Sequence, residues 1–204
     1  MAVDYAGAEV EWVTGTTTLL DIVKDKLGIT DTAQDDDLKL YINMAGVACE
    51  NYIDNKIVSQ PVTELFAMSK TPIALRYWPA ADLTEVVIDG TDVTADWELM
   101  TSDGIVWSLS NRHSASRVDY FNQMSISYTA GYDPVPGDIG YAIAATSIGY
   151  YTQSGISTSG QIKKEVVQGV GSVEYTTDSE TTTSTGLISS ASIGVLEMYR
   201  RYHV

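Results

Sequence analysis

Cysteine is nearly absent from this chain. Cys49 is the only one in 204 residues, so no intrachain disulfide can form and a four-thiolate zinc site is excluded. Histidine is almost as scarce: His113 and His203, with one cysteine, are too few for a convincing transition-metal centre. Positive charge is also short. Lys and Arg total 12 against 27 Asp and Glu, a formal charge of −15, and the adjacent basic pairs are Lys163-Lys164 and Arg200-Arg201. Nucleic-acid binders neutralise phosphates with clustered cations, so this balance argues against DNA or RNA as a ligand and against anionic membranes. Long apolar runs are missing too. The most apolar segment, 139–151, is interrupted by Gly140, Thr146, Ser147 and Gly149 and is shorter than the roughly 20 residues that span a bilayer. The first residues carry neither a basic n-region nor an apolar h-region, so no signal peptide is expected, and synthesis in a reducing, soluble compartment is.

What is present is enough for a core. Hydrophobic residues make up 44% and mean hydropathy is −0.04. A chain of this length buries roughly 70% of its unfolded surface as one domain, or one domain with a large insertion. Residues 1–15 show no period and read as an irregular arm. Thr16-Thr17-Thr18 can cap a short helix through Leu19, Leu20, Ile22, Val23 and Leu27, which Gly28 stops. After an acidic turn, a helix from about 36 to 55 carries Leu38, Tyr41, Ile42, Ala45, Ala48, Cys49, Tyr52 and Ile53 at steps of three and four. Asp35, Asp36 and Asp37 sit at its start, where the dipole favours anions.

The texture changes at Ser59-Gln60-Pro61. Strands are expected over 62–68, 73–77, 83–88, 97–100, 105–109 and 124–129, with Asp89-Gly90 and Asp103-Gly104 as turn dipeptides. The Pro/Gly-rich run 130–138 breaks this pattern. Asp138 then opens a helix to about Gln153 that is apolar on two faces: Ile139, Ala142, Ile143, Thr146 and Tyr150 on one, Tyr141, Ala145, Ile148 and Tyr151 on the other. A helix apolar all round is covered on both sides, and one of those sides is a candidate subunit contact. Residues 154–160 and 176–186 read as flexible Ser/Thr/Gly stretches, 166–175 as a Gly-interrupted hairpin. Ile188, Ala191, Ser192, Val195, Tyr199 and Tyr202 mark a last helix ending in Arg200 and Arg201. The class is α+β: a helical framework of about four helices with an inserted antiparallel β region. The expected division is an arm (1–15), a helical core (16–57 plus 133–204) and a β-rich lobe (62–132).

A search for chemistry returns little. The acidic run from Asp31 has Asp36 where a calcium loop needs Gly and Ile42 where it needs Glu. Cys49 falls on an apolar helix face, the setting of an inert core thiol, and neither histidine lies in a nucleophile signature. Gly155-Ile156-Ser157-Thr158-Ser159 has Ser159 where a nucleophile elbow requires Gly. Gly169-Val170-Gly171 lacks the third glycine and following helix of a dinucleotide loop, and no Gly-Lys-Ser/Thr phosphate loop exists. Trp78, Trp97 and Trp107, with Tyr77, Tyr120 and Tyr128, can fill a sheet core or, in a carbohydrate-binding module, stack on sugars. No catalytic, cofactor or metal residue is expected, and no cofactor. The self-association features point to protein partners.

The order of the pieces is itself informative. A helix from Thr18 to Ile29, an acidic gap, a helix from Asp37 to Ile53, a strand insert with Pro72-Ile-Ala-Leu-Arg-Tyr-Trp-Pro79 and Val86-Val-Ile-Asp-Gly90, then Tyr128-Thr-Ala-Gly-Tyr-Asp133 leading through Val135-Pro136 into an apolar helix, then Lys163 to Tyr175 and a terminal Tyr-Arg-Arg: this set resembles the head–tail connector (adaptor) family of tailed bacteriophages, in its longer members with a strand insert, over about residues 17–203. The resemblance implies a non-enzymatic virion protein of the neck, made in the bacterial host cytoplasm. It implies a homo-oligomeric ring, usually dodecameric, beneath the portal protein, with a tail-side neck protein docking on it and DNA passing through without specific binding. It assigns portal contact to 187–204, with Tyr199, Arg200, Arg201 and Tyr202 as anchors. Another neck, tail-completion or capsid-accessory protein is the alternative.

Overall fold

The computed structural model describes residues 3–12, 15–67, 72–109, 123–155, 164–167, 171–174 and 188–200. Twelve strands and four α-helices run along these residues: β1 (Glu9–Trp12), β2 (Gly15–Thr18), α1 (Leu19–Leu27), α2 (Asp35–Ile53), β3 (Gln60–Ala67), β4 (Ile73–Ala74), β5 (Ala80–Ile88), β6 (Thr91–Asp92), β7 (Trp97–Met100), β8 (Ile105–Ser108), β9 (Gln123–Ala130), β10 (Val135–Pro136), α3 (Gly137–Gly155), β11 (Lys164–Val167), β12 (Gly171–Glu174) and α4 (Ser190–Leu196). The class is α+β, as the pattern of periods indicated.

Local chemistry sets the helix ends. Thr18 caps α1 by accepting the Asp21 N–H, and Gly28 ends it at φ 70°, a left-handed geometry that costs an L-residue with a Cβ and costs glycine nothing. Lys24 reaches across to Asp35 at 2.6 Å and ties α1 to the first turn of α2. The inward face of α2 carries Leu38, Ile42, Ala45, Cys49 and Ile53, and that of α3 carries Ile139, Ala142 and Ile143, all fully buried. These pack with Leu19 and Val23 of α1 and Leu196 of α4 into one apolar cluster.

The arm departs from expectation. Residues 9–12 are a strand, which pairs antiparallel with β2 and parallel with β10. Its four residues, Glu9-Val10-Glu11-Trp12, alternate over too short a run to announce a strand, and Val10 faces inward at 0% exposure. Tyr5 and Ala6 are buried in the helical cluster as well. Two helical glycines make the space. A Cβ on Gly46 of α2 would overlap the edge of the Tyr5 ring, and a Cβ on Gly140 of α3 would lie 2.5 Å from Val10 Cγ1.

A second cluster occupies the strand-rich stretch. The four-stranded sheet β3-β9-β5-β6 and the three-stranded sheet β4-β8-β7 contribute Val86, Met124, Ile126 and Tyr128 from one side and Ile73, Trp97 and Val106 from the other. Along β9 burial alternates residue by residue, as a pleated strand with one wet face requires. The β5–β6 turn holds both Asp89 (φ 50°) and Gly90 (φ 79°) in the left-handed region, the geometry that Asp-Gly hairpins favour. Expected strand 73–77 is only Ile73–Ala74, and the short β6 and β10 had no sequence signal.

The two clusters meet at a narrow junction. Asn55, 3% exposed, accepts the Trp78 N–H at 3.0 Å and donates from Nδ2 to the Trp78 carbonyl. Tyr132 N–H donates to the Ile57 carbonyl at 2.8 Å and Ser59 N–H to the Tyr132 carbonyl at 3.1 Å, so the chain leaving α2 and the chain approaching α3 run side by side. Gly131 (φ 105°) sits at this crossing, where a Cβ would come 2.6 Å from the Val58 carbonyl.

The last helix is shorter than its spacing suggests. It runs from Ser190 to Leu196, continues as a 3-10 turn over Glu197–Tyr199, and is extended at Arg200 (φ −70°, ψ 125°). The flexible stretch expected at 154–160 begins inside α3, which runs to Gly155, and 156–160 and 176–186 lie outside the described residues, as do Arg201, Tyr202, His113, His203 and Tyr120.

Candidate interaction surfaces

Three places merit scrutiny: the buried ionisable groups, the C-terminal cluster and the outer faces of α2 and α3. The first is structural. The Glu50 carboxylate accepts the Ile57 N–H at 2.9 Å, the Gln60 side-chain amide at 3.1 Å and the Lys56 ammonium at 3.1 Å. It thereby closes the turn that follows α2. Burial, and then a hydrogen bond with this carboxylate, hold the Tyr5 hydroxyl protonated far above its ordinary range. Burial also pushes the Cys49 thiol up to about 12, against a smaller opposing pull from the Thr146 hydroxyl. A protonated, enclosed thiol is a poor nucleophile. Among the described residues no group of three or more His, Cys, Asp or Glu is placed to hold a metal. No helix among them is long and apolar enough to cross a membrane.

The C-terminal cluster brings two of the four anchor candidates against the junction. The Tyr199 hydroxyl donates to both carboxylate oxygens of Asp138 at 2.8 Å, and burial followed by that carboxylate raises its pKa. Its ring meets Tyr132 edge-on at 6.0 Å, and Tyr132 meets Trp78 the same way at 6.3 Å. Arg200 pairs with Glu197 at 3.3 Å and lies over the Tyr52 ring at 5.7 Å. A cleft of about 510 Å³ opens beside this stack, lined by Asn55, Trp78, Asp103, Tyr132, Met198 and Arg200 among others. Tyr199 and Arg200 are thus engaged inside their own chain, while Met198 stands 71% exposed beside them.

The outer face of α3 is where the burial pattern and the sequence pattern diverge. Tyr141 is 54% exposed, and Ala145 and Ile148 are half-buried in line with it. Tyr151, grouped with them by spacing, turns toward α2 instead: its hydroxyl donates to Gln34 Oε1 and its ring meets Tyr41 edge-on at 6.2 Å. The outer face of α2 carries a stripe that the sequence reading passed over, Leu40, Met44 and Val47 at 56, 46 and 51% exposure. Its signal was available as a second i, i+4, i+7 series, hidden by the stronger inward one.

Two of the strand aromatics, Trp97 and Tyr128, fill the core. Trp97 is 5% exposed and Tyr128 1%, so neither presents a ring face to a sugar; Trp107 is 45% exposed. The Tyr128 hydroxyl bonds the Glu64 carboxylate and accepts the Tyr77 N–H at 3.2 Å.

Comparison with known proteins follows the same lines. No curated protein matches the chain by sequence. Among solved structures, it is similar to a chain from the neck of an empty gene transfer agent (GTA) particle computed with C6 symmetry. That similarity has TM-score 0.61 at 17% identity, over 91% of this chain and 90% of the other. It is also similar to a chain from the neck of a native GTA particle computed with C12 symmetry, with TM-score 0.59 at 17% identity over 91% and 89%. A chain from the virion of a native GTA particle gives TM-score 0.60 at 17% identity over 91% and 90%. At this identity the likeness is one of fold. The family model described as "Head completion protein" matches residues 17–202, from the β2–α1 cap to beyond the Tyr199 stack, and the chain belongs to the head completion protein family.

Proposed function

We infer that this protein is a structural subunit of the head–tail neck of a tailed-phage-like particle, where it completes the head and joins it to the tail. The observation that carries this reading is the match of one family model to nearly the whole chain, 17–202. The fold shared with GTA neck chains supports it. The subunit works in a ring of like copies beneath the portal, as the sixfold and twelvefold symmetry of those necks suggests, and a dodecamer is the expected count. A charge of −15 suits a conduit through which DNA passes without being gripped. The role is non-enzymatic: an inert core thiol and the lack of any nucleophile, phosphate-loop or metal motif favour it.

The division of labour follows the chain. Residues 16–57 and 133–204 form the ring-building core and 62–132 an inserted lobe. A tail-side neck protein docks on the ring, and 187–204 engages the portal. Tyr199 and Arg200, held by Asp138 and Glu197, fix the exit direction of the chain, and Arg201 and Tyr202 follow as contacts. Tyr141, Ala145 and Ile148 serve the neighbouring subunit. The protein is made in the host cytoplasm and ends in the virion neck.

Two experiments test the reading. Cryo-electron microscopy of the neck is expected to place a ring of 22.1 kDa subunits between portal and tail. Density without room for it there refutes the assignment. Pull-down with portal protein is expected to succeed with the full chain and fail after deletion of 187–204. Equal capture by both moves the portal contact elsewhere and favours another neck or tail-completion role.

A further inference from the structure

The two outer helix stripes have matching geometry. On α2, Leu40, Met44 and Val47 lie about 180° around the helix from Leu38, Ile42 and Cys49, at 100° per residue. On α3, Tyr141, Ala145 and Ile148 lie opposite Ile139 and Ile143 in the same way. Both stripes use the i, i+4, i+7 spacing, so both are about 10 Å long at 1.5 Å per residue. The two helices pack on each other through their buried faces. The exposed members, Leu40, Met44 and Val47 on α2 and Tyr141 on α3, lie on the sides turned from that contact, with Ala145 half-buried beside Tyr141 and Ile148 reaching the edge of the core cluster.

Neither stripe has the character of a solvated face. Asp138 is the only charged residue in α3, and the Tyr199 hydroxyl holds it. Leu40, Met44 and Val47 are uncharged and 46–56% exposed. Asp36, Asp37 and Lys39 are exposed at the N-terminal end of the α2 stripe, but from Leu40 to Val47 it is uncharged, and in a chain with 27 carboxylates such apolar stretches on outward helix faces are surfaces awaiting a cover.

We propose that the α2 stripe of one subunit packs against the α3 stripe of the next, forming the head-to-tail contact that closes the ring. The inference rests on the ring reading above and names the two surfaces that make it. A cyclic ring needs a heterologous contact, in which two different patches on each subunit meet, and one patch on each of two helices satisfies that requirement. The stripes are complementary in size as well. Tyr141 is bulky and Ala145 leaves a notch beside it, while Met44 is a flexible side chain suited to such gaps. The occupant is a second copy of this chain because like chains stand side by side in necks of sixfold and twelvefold symmetry.

Site-specific cross-linking tests this. In a Cys49→Ser background, Met44→Cys chains carrying a tag are co-expressed with untagged Tyr141→Cys chains, and the assembled rings are treated with a short bismaleimide. A mixed tagged–untagged dimer is expected, with no link in rings of either variant alone. Rings that yield no mixed link overturn the proposal and leave the ring reading standing. Links between two Met44→Cys chains, or between two Tyr141→Cys chains, mean an isologous contact and overturn it as well. Failure of the unsubstituted chain to form rings in neck complexes removes the ring reading itself, and the proposal with it. As a second arm, Leu40→Glu with Met44→Glu is expected to abolish rings while leaving the monomer's melting curve unchanged, and Lys39→Glu beside the stripe is expected to spare them. Intact rings from the double variant overturn the proposal.

Discussion

The helical cluster and the β cluster solve the same burial problem in different ways. The β cluster is built by a continuous stretch, from Ile73 to Ala130 in its buried residues; two of its pairings are hairpins, β5–β6 and β7–β8, while β9 closes the larger sheet by pairing with β3 and β5. The helical cluster is assembled from distant pieces: Tyr5 and Val10 of the arm, α1, α2, then α3 and Leu196 after the whole β stretch has intervened. Sealing it depends on chain ends and on two glycines that let the arm in. The sheet pair depends on two local turns, β5–β6 and β7–β8, and on the return of β9 between β3 and β5. Damage inside the helical cluster should spread through the molecule, whereas damage at a hairpin turn of the sheets should stay near its site.

The largest expected effect is in the helical cluster. Ile42→Ala removes fully buried methyl groups between α2 and its neighbours, and a loss of about 2–5 kcal/mol is expected in urea denaturation. A loss below about 1 kcal/mol would mean that the cluster relaxes around the cavity and that the contrast with the sheets is overstated. Asn55→Ala is next. It strips the Trp78 N–H and carbonyl of their partner, at about 1–3 kcal/mol, and loosens the junction. Tryptophan fluorescence and far-ultraviolet dichroism should then report separate transitions, and coincident curves would show that the clusters remain one cooperative unit.

Gly46→Ala sets two effects against each other. Helix propensity favours alanine by about 1 kcal/mol. Overlap with the Tyr5 ring costs about 1–3 kcal/mol. Overlap should win, and the sign should reverse when Tyr5→Ala removes the ring. A double-mutant cycle without coupling would remove the arm from the core. Smaller still is the pH effect of Cys49. Its folded pKa of about 12 lies above the ordinary 9.0, so its contribution is complete below pH 9 and is lost as pH rises toward 12. Native protein at pH 8 should leave Ellman's reagent unreacted until denaturant is added; prompt reaction would mean that the helical cluster opens easily. The smallest effect belongs to the β region. Gly90→Ala, at φ 79°, should cost about 1 kcal/mol and leave the helical cluster unaffected.

How much was legible in the sequence depended on whether the cause was local. The first helix was readable to within its cap, since Gly28 marks its end and the Thr16–Thr18 run its start; Thr18 is the cap and the preceding threonines belong to β2. The strand over Trp97–Met100 was also readable, from composition and flanking turns. Strand β1 was not, because its four residues are too short a run and its parallel partner β10 lies 125 positions away. The inward stripe of α2 was plain, and it masked the outer one. Tyr151 shared a face with Tyr141 on a helical wheel, yet the neighbouring helix drew it inward through Gln34 and Tyr41.

The sequence by itself determined the α+β class, the order of elements that marks the family, the inert thiol and a charge that repels DNA. Each follows from residue type, period or sum, which need no knowledge of what lies opposite. Only the tertiary structure decided where the arm lodges, how Asn55 joins the clusters and which helix faces are left outward. Those outcomes depend on which distant surfaces reach van der Waals contact, and a linear pattern carries that information only when both partners are already in place.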